Sequence, residues 1–101
     1  MATARCFILA LLVAAAAPVQ AADEHRCLDP DQRRAAIAGR RAVPLVKAMR
    51  AAKSRLGGEI VNARLCEYGE DLVYVLTVLA RDGKVMRASI DGASGAFLHV
   101  R

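Results

Sequence analysis

From Leu72 onward, apolar runs of strand length alternate with short polar breaks. Leu72 to Ala80, Val85 to Ile90 and Ala96 to Val100 are separated by Arg81-Asp82-Gly83-Lys84 and by Asp91-Gly92-Ala93-Ser94-Gly95. The runs are rich in β-branched and aromatic residues, and the Asp-Gly and Ser-Gly breaks tolerate the positive φ that tight turns need. The pattern predicts three consecutive antiparallel strands, a β-meander. Upstream, from Glu59 to Glu67, Val61, Ala63 and Leu65 alternate with Asn62, Arg64 and Cys66. That is the period of a half-buried strand with the first set facing the core, and Tyr68-Gly69-Glu70-Asp71 turns it into the meander.

Before Gly57-Gly58 the period changes. Leu45, Met49, Ala52 and Leu56 recur at helical spacing while Lys47, Arg50 and Ser54 fall on another side, which predicts an amphipathic helix of about twelve residues starting at Pro44. An earlier, shorter helix is signalled by Asp29-Pro30-Asp31-Gln32: an N-cap, proline at the first helical position and a capping-box glutamine. It should run from Pro30 to about Ala38, with Gly39 ending it in the left-handed conformation. Ala22 to Leu28 reads as a polar lead-in. The expected fold is α+β, with one or two N-terminal helices packed on a four-stranded antiparallel β-meander.

Strand parity assigns faces to this sheet. If Tyr74, Leu76 and Val78 face the helix with Met86, Ala88 and Ile90, then Val75, Thr77, Leu79 and Val85 point the other way, beside Arg87 and Ser89. A solvated face of an antiparallel sheet should be polar, yet three of those first four residues are aliphatic. The sequence therefore marks this face as a contact surface, for a sheet-to-sheet homodimer or for a protein partner. The alternative is that the first helix and the N-terminal segment fold over it.

The first 21 of the 101 residues change the compartment. Arg5, the apolar stretch from Phe7 to Ala17 and Val19-Gln20-Ala21 have the three parts of a secretory signal peptide. The apolar stretch is too short for a transmembrane anchor and is stopped by Pro18, and neither Cys6 nor Cys27 has the small-residue context of a lipoprotein cysteine. A single domain over residues 22–101, periplasmic or secreted, is the expectation. Cys6 leaves with the signal, and Cys27 and Cys66 remain as a pair in an oxidising compartment, which argues for a disulfide. Two free thiols, or a two-cysteine metal site with His25, are the competing readings.

Fourteen basic against ten acidic side chains remain after cleavage, and residues 26–55 hold nine basic and two acidic ones. In a cytoplasmic chain this asymmetry would suggest nucleic acid; export and the lack of interleaved aromatics argue against it. A solvated helix face explains the charges most simply. An acidic partner or an anionic membrane surface meeting Arg50 and Lys53 is the functional reading.

No catalytic constellation emerges. His99 lies on the last strand with no acid or nucleophile nearby in sequence. Tyr74 reads as core with its hydroxyl at the sheet margin. Ser94 and Asp91 are explained by the DGASG turn, and no phosphate loop, zinc spacing or paired carboxylates occur. One metal reading depends on cleavage after Ala22 instead of Ala21: a chain beginning Asp23-Glu24-His25 could bind Cu(II) in a square plane. No cofactor is implied.

The ordered set of Tyr74 in a Val-Tyr-Val strand, Asp82-Gly83-Lys84, Ile90-Asp91 and Ser94-Gly95, preceded by a helix and a Gly-Gly stop, resembles the PepSY domain from about Gln32 to His99. The resemblance implies a helix packed on an antiparallel sheet, no catalytic residues and a role in the cell envelope. The expected function is a non-enzymatic periplasmic protein that binds another envelope protein or a peptide, with peptidase inhibition or regulation as one candidate role; a copper-responsive or envelope-surface sensor is the alternative. Two features depart from the family. Val75 and Thr77 stand where relatives often carry charged residues, and the Cys27/Cys66 pair is not a general family feature.

Overall fold

The computed structural model describes residues 26–101. The signal segment, its cleavage sites, Cys6 and the His25 copper motif lie outside the described residues. The elements are β1 (Arg26–Cys27), α1 (Pro30–Ala38), α2 (Leu45–Leu56), β2 (Glu59–Tyr68), β3 (Asp71–Leu79), β4 (Val85–Asp91) and β5 (Phe97–Val100). The strands form one antiparallel sheet in the order β1-β2-β3-β4-β5. The α+β class and the meander are as the sequence indicates, but the sheet has five strands. Arg26 and Cys27, read as lead-in, pair with Glu67 and Cys66. Two residues are too few to carry a period, so pattern could not reveal them.

The second helix, α2, covers one face of the sheet, whereas α1, expected to pack on the sheet as well, reaches this core through Ala36. Ala48 and Ala52 of α2 are fully buried, and Ala36 of α1 joins the same core, which includes Leu65, Leu72, Tyr74, Leu76, Val78, Ala88 and Ile90. Leu45, Met49 and Leu56 flank it, as the helical period requires. Small residues on the inner side of α2 let the helix lie close to the sheet. The large aliphatic side chains come from the strands, each burial worth about 1.5–3 kcal/mol. The notion that α1 folds over the opposite face is thus not met: its one buried side chain, Ala36, belongs to the helix-side core.

One parity assignment is corrected. Ile60 pairs with Val78 and Asn62 with Thr77, so Val61 is an extra residue in a β-bulge and is 56% exposed. Ile60 takes the core-facing place expected of Val61, while Ala63 and Leu65 keep theirs. A second bulge lies in β5, where Ser89 pairs with His99 and Ile90 with Phe97, leaving Leu98 unpaired. A one-residue insertion flips the parity of everything beyond it.

The start of α1 is as expected. The Asp29 side chain accepts from the Gln32 amide at 2.8 Å and the Gln32 side chain accepts from the Asp29 amide at 2.9 Å. Its end is not. Gly39 has φ −85°, and Arg40 carries the left-handed turn at φ 63°. The amide of Arg41 bonds the Ala36 carbonyl and that of Arg40 bonds the Ile37 carbonyl, the paired bonds of a Schellman motif with arginine in the position glycine favours. The helix span is as expected, and only the left-handed turn falls one residue later, on Arg40. Arg40→Gly should therefore stabilise the fold by about 0.5–1 kcal/mol, read as a shift of the urea midpoint at unchanged slope.

Tyr74 ties the layers together. It is fully buried on β3, and its hydroxyl donates to the Val43 carbonyl at 2.6 Å, in the connector between the helices. The Val43 amide in turn donates to Gly92 O at 2.7 Å, and Gly92 N donates to Leu72 O at 2.7 Å. Burial raises the Tyr74 pKa above its ordinary value of 10.0, partly opposed by Arg33. Above pH 10.0 the unfolded tyrosine ionises first, so the folded state holds more protons and stability falls as the pH climbs toward the raised folded value. Tyr74→Phe should cost about 1–2 kcal/mol at neutral pH by stranding the Val43 carbonyl. It should also flatten the alkaline decline, a pair of effects that melts between pH 7 and pH 11 would check.

Candidate functional site

The face of the sheet away from the helices is uncovered among the described residues. Cross-strand pairing lays its side chains out in rows. Asn62, Thr77 and Arg87 form one, extended by Arg101, whose backbone exchanges two 2.9 Å hydrogen bonds with Arg87. Arg64, Val75, Ser89 and His99 form the next. Leu79 and Val85 close one end, 37% and 62% exposed, and Cys66 and Val73 lie toward the other. Val75 and Thr77 are half-buried in the centre.

A shallow cavity of about 160 Å³ opens between these rows, lined by Asn62, Arg64, Val75, Thr77, Arg87 and Ser89, with Arg101, Tyr68 and both disulfide cysteines at its margin. Its lining holds three arginines and no acidic side chain. Among the described residues the ion pairs are Arg26 with Glu67 at 3.2 Å and Arg34 with Asp31. None of the three trough arginines is neutralised by either.

Cys27 and Cys66 are joined in a disulfide, across directly paired residues of β1 and β2. Cys66 has the opposite parity to Leu65, so the bridge pins the N-terminal strand on the open side of the sheet. Neither sulfur is left as a thiolate to share a metal with His25, and that reading is set aside.

The residues proposed from sequence for partner binding fall into two groups that the fold separates. Val75, Thr77, Leu79, Val85 and Arg87 share the open face. Arg50 and Lys53 are exposed on α2, whose buried side rests on the other face. They stand on opposite sides of the molecule and cannot form one site. Sequence reading missed Arg64 and Arg101 as partners of Arg87. The signal for Arg64 was present in its parity, opposite to Leu65. Uniting it with Arg87 required the register of β2 beyond the Val61 bulge.

The turns behave as structural elements. Asp91 accepts from the amide and hydroxyl of Ser94 at 2.9 and 2.7 Å, and Asp82 accepts from the Lys84 amide at 2.9 Å. His99 is exposed on the edge strand. Arg55, near the end of α2, lies 4.7 Å from the centre of the Phe97 ring and belongs to the helix-side packing. Among the described residues no cluster of three or more histidine, cysteine or acidic side chains is placed to hold a metal, and no helix is long and apolar enough to cross a membrane. Compared with family models, curated proteins and solved structures, the chain matches none of them.

Proposed function

We propose that this protein is a non-enzymatic binding module of the cell envelope, similar to PepSY domains, that docks a segment of another envelope protein on the open face of its sheet. The observation that carries the reading is that face itself: half-buried Val75 and Thr77 at its centre, exposed Leu79 and Val85 at its end and neither of the described helices across it. Aliphatic side chains that the fold leaves uncovered are what a partner would bury. The Cys27–Cys66 disulfide suits an oxidising, extracytoplasmic compartment, in keeping with the signal-like N-terminus. Inhibition or regulation of a peptidase is one outcome such docking would serve.

A second copy of the chain is a poorer occupant than a different partner. A two-fold pairing of this face would set arginines against arginines with no acidic side chain of the lining between them, and like charges across an interface are costly. The test is a photo-crosslinking residue placed at Thr77 in the exporting cell, with Arg50 as the control position. An adduct with an envelope protein at Thr77 and none at Arg50 is the expected result. No adduct at Thr77, or adducts at Arg50 alone, would sink the reading.

A further inference from the structure

The trough on the open face is a cluster of guanidinium groups with no acidic side chain in its lining. Arg64 on β2 and Arg87 on β4 flank β3 on a diagonal, one pairing Val75 and the other Thr77, roughly 12 Å apart at the backbone from two strand spacings and a two-residue offset. Both side chains can lean over Val75 and Thr77, and Arg101 adds a third guanidinium beside Arg87. All three cations are arginine, with no lysine in the lining. Arginine presents planar donor forks that match two-oxygen anions, whereas lysine offers a point charge. Asn62, Thr77 and Ser89 supply neutral hydrogen-bonding groups between them.

Resting on the assignment of this face to docking, we propose that the trough recognises side-chain carboxylates of an extended acidic segment, with Arg64 and Arg87 each pairing with one carboxylate. Alternate residues of an extended chain lie about 7 Å apart on one side, within reach of both arginines from a single peptide. Leu79 and Val85, uncovered beside the cations, would take an aliphatic residue of the same segment. The partner sequence is therefore acidic with interspersed Val, Ile or Leu. The concave shape favours a protruding side chain over a flat lipid surface, which would meet only the rim.

The test uses the disulfide-bonded exported protein and a dye-labelled peptide of alternating Glu and Val, read by fluorescence polarisation. The Glu peptide should bind, and its Gln counterpart should bind at least about tenfold more weakly, the worth of one charge-assisted hydrogen bond. Arg64→Gln and Arg87→Gln should each weaken the Glu peptide by about tenfold, Arg50→Gln should leave it unaltered, and added salt should weaken it. Melting curves of the variants separate lost recognition from lost folding, and the peptide comparison needs no variant at all. Equal binding of the Glu and Gln peptides, wild-type affinity in both folded arginine variants, or binding to phosphatidylglycerol vesicles without binding to the peptide would each overturn the proposal. A crosslink at Thr77 alongside any of these results would leave the docking face standing and remove only its acidic specificity.

Discussion

Cys66→Ala in the oxidised protein should lower stability by about 4 kcal/mol, the chain-entropy cost of releasing a loop closed across a separation of 39 residues. For a domain of this size that corresponds to a fall of about 20 °C in melting temperature. The structure adds a reason beyond loop entropy. β1 holds two residues, which pair with Cys66 and Glu67, and Leu28 N adds a 2.8 Å bond to Leu65 O. The exposed Arg26–Glu67 pair contributes little. Without the bridge almost nothing holds β1 at the edge, and α1 loses its upstream anchor. Thermal melts of wild type, Cys66→Ala and the reduced wild type should place the last two together, well below the first. Coincident melting of all three would show that the bridge contributes nothing.

Gly92→Ala should cost about 3 kcal/mol or more, a large loss for a single methyl group. Gly92 is buried where three segments meet: the turn after β4, the first residues of β3 and the connector carrying Val43. A β-carbon there would lie 2.6 Å from the Leu72 carbonyl oxygen and 2.8 Å from its carbon. These are backbone atoms that cannot rotate away. Relief requires the turn to move, which breaks the Gly92–Leu72 hydrogen bond and, through Val43, disturbs the acceptor of Tyr74. Gly83→Ala, at a position where an added β-carbon meets no atom within 4 Å, provides the comparison; it should cost only the strain of its φ of 89°, about 1 kcal/mol. Chemical denaturation that finds Gly92→Ala no worse than Gly83→Ala would refute the close-contact account.

Much of this architecture was legible in the order of residues because local rules agreed with one another. The capping box at Asp29 and Gln32, the four-three-four spacing in α2 and the Asp-Gly breaks each specify a local structure that the tertiary fold keeps. The misreadings have a common cause in single-residue geometry. Gly39 seemed the natural left-handed position, but bonds from Arg40 and Arg41 back into the helix place that turn one residue later. Val61 seemed a core residue because the alternation ran through it, and a bulge, which leaves no mark in hydrophobicity, took it out. The candidate site was half legible. Val75, Thr77, Leu79, Val85 and Arg87 were grouped correctly by parity alone, since β3 and β4 pair without interruption. Arg64 and Arg101 joined them only through the registers of β2 and β5, both interrupted. Arg50 and Lys53 were grouped by charge, and charge carries no information about which side of a layered fold a residue occupies.

The two bulges bear on how this sheet behaves in a crowded compartment. Among the described residues, β5 is one border of the sheet and β2 is bordered by β1 only at Cys66 and Glu67, which leaves most of its outer rim open. Open rims with unpaired amides and carbonyls are templates for strand addition by other copies of the chain. Val61 and Leu98 each insert one residue into these outer strands, which locally disrupts the spacing of donors and acceptors and increases the twist. A neighbouring copy approaching either rim finds a ladder that breaks after a few rungs, and the same irregularities that obscured the register in the sequence resist runaway polymerisation.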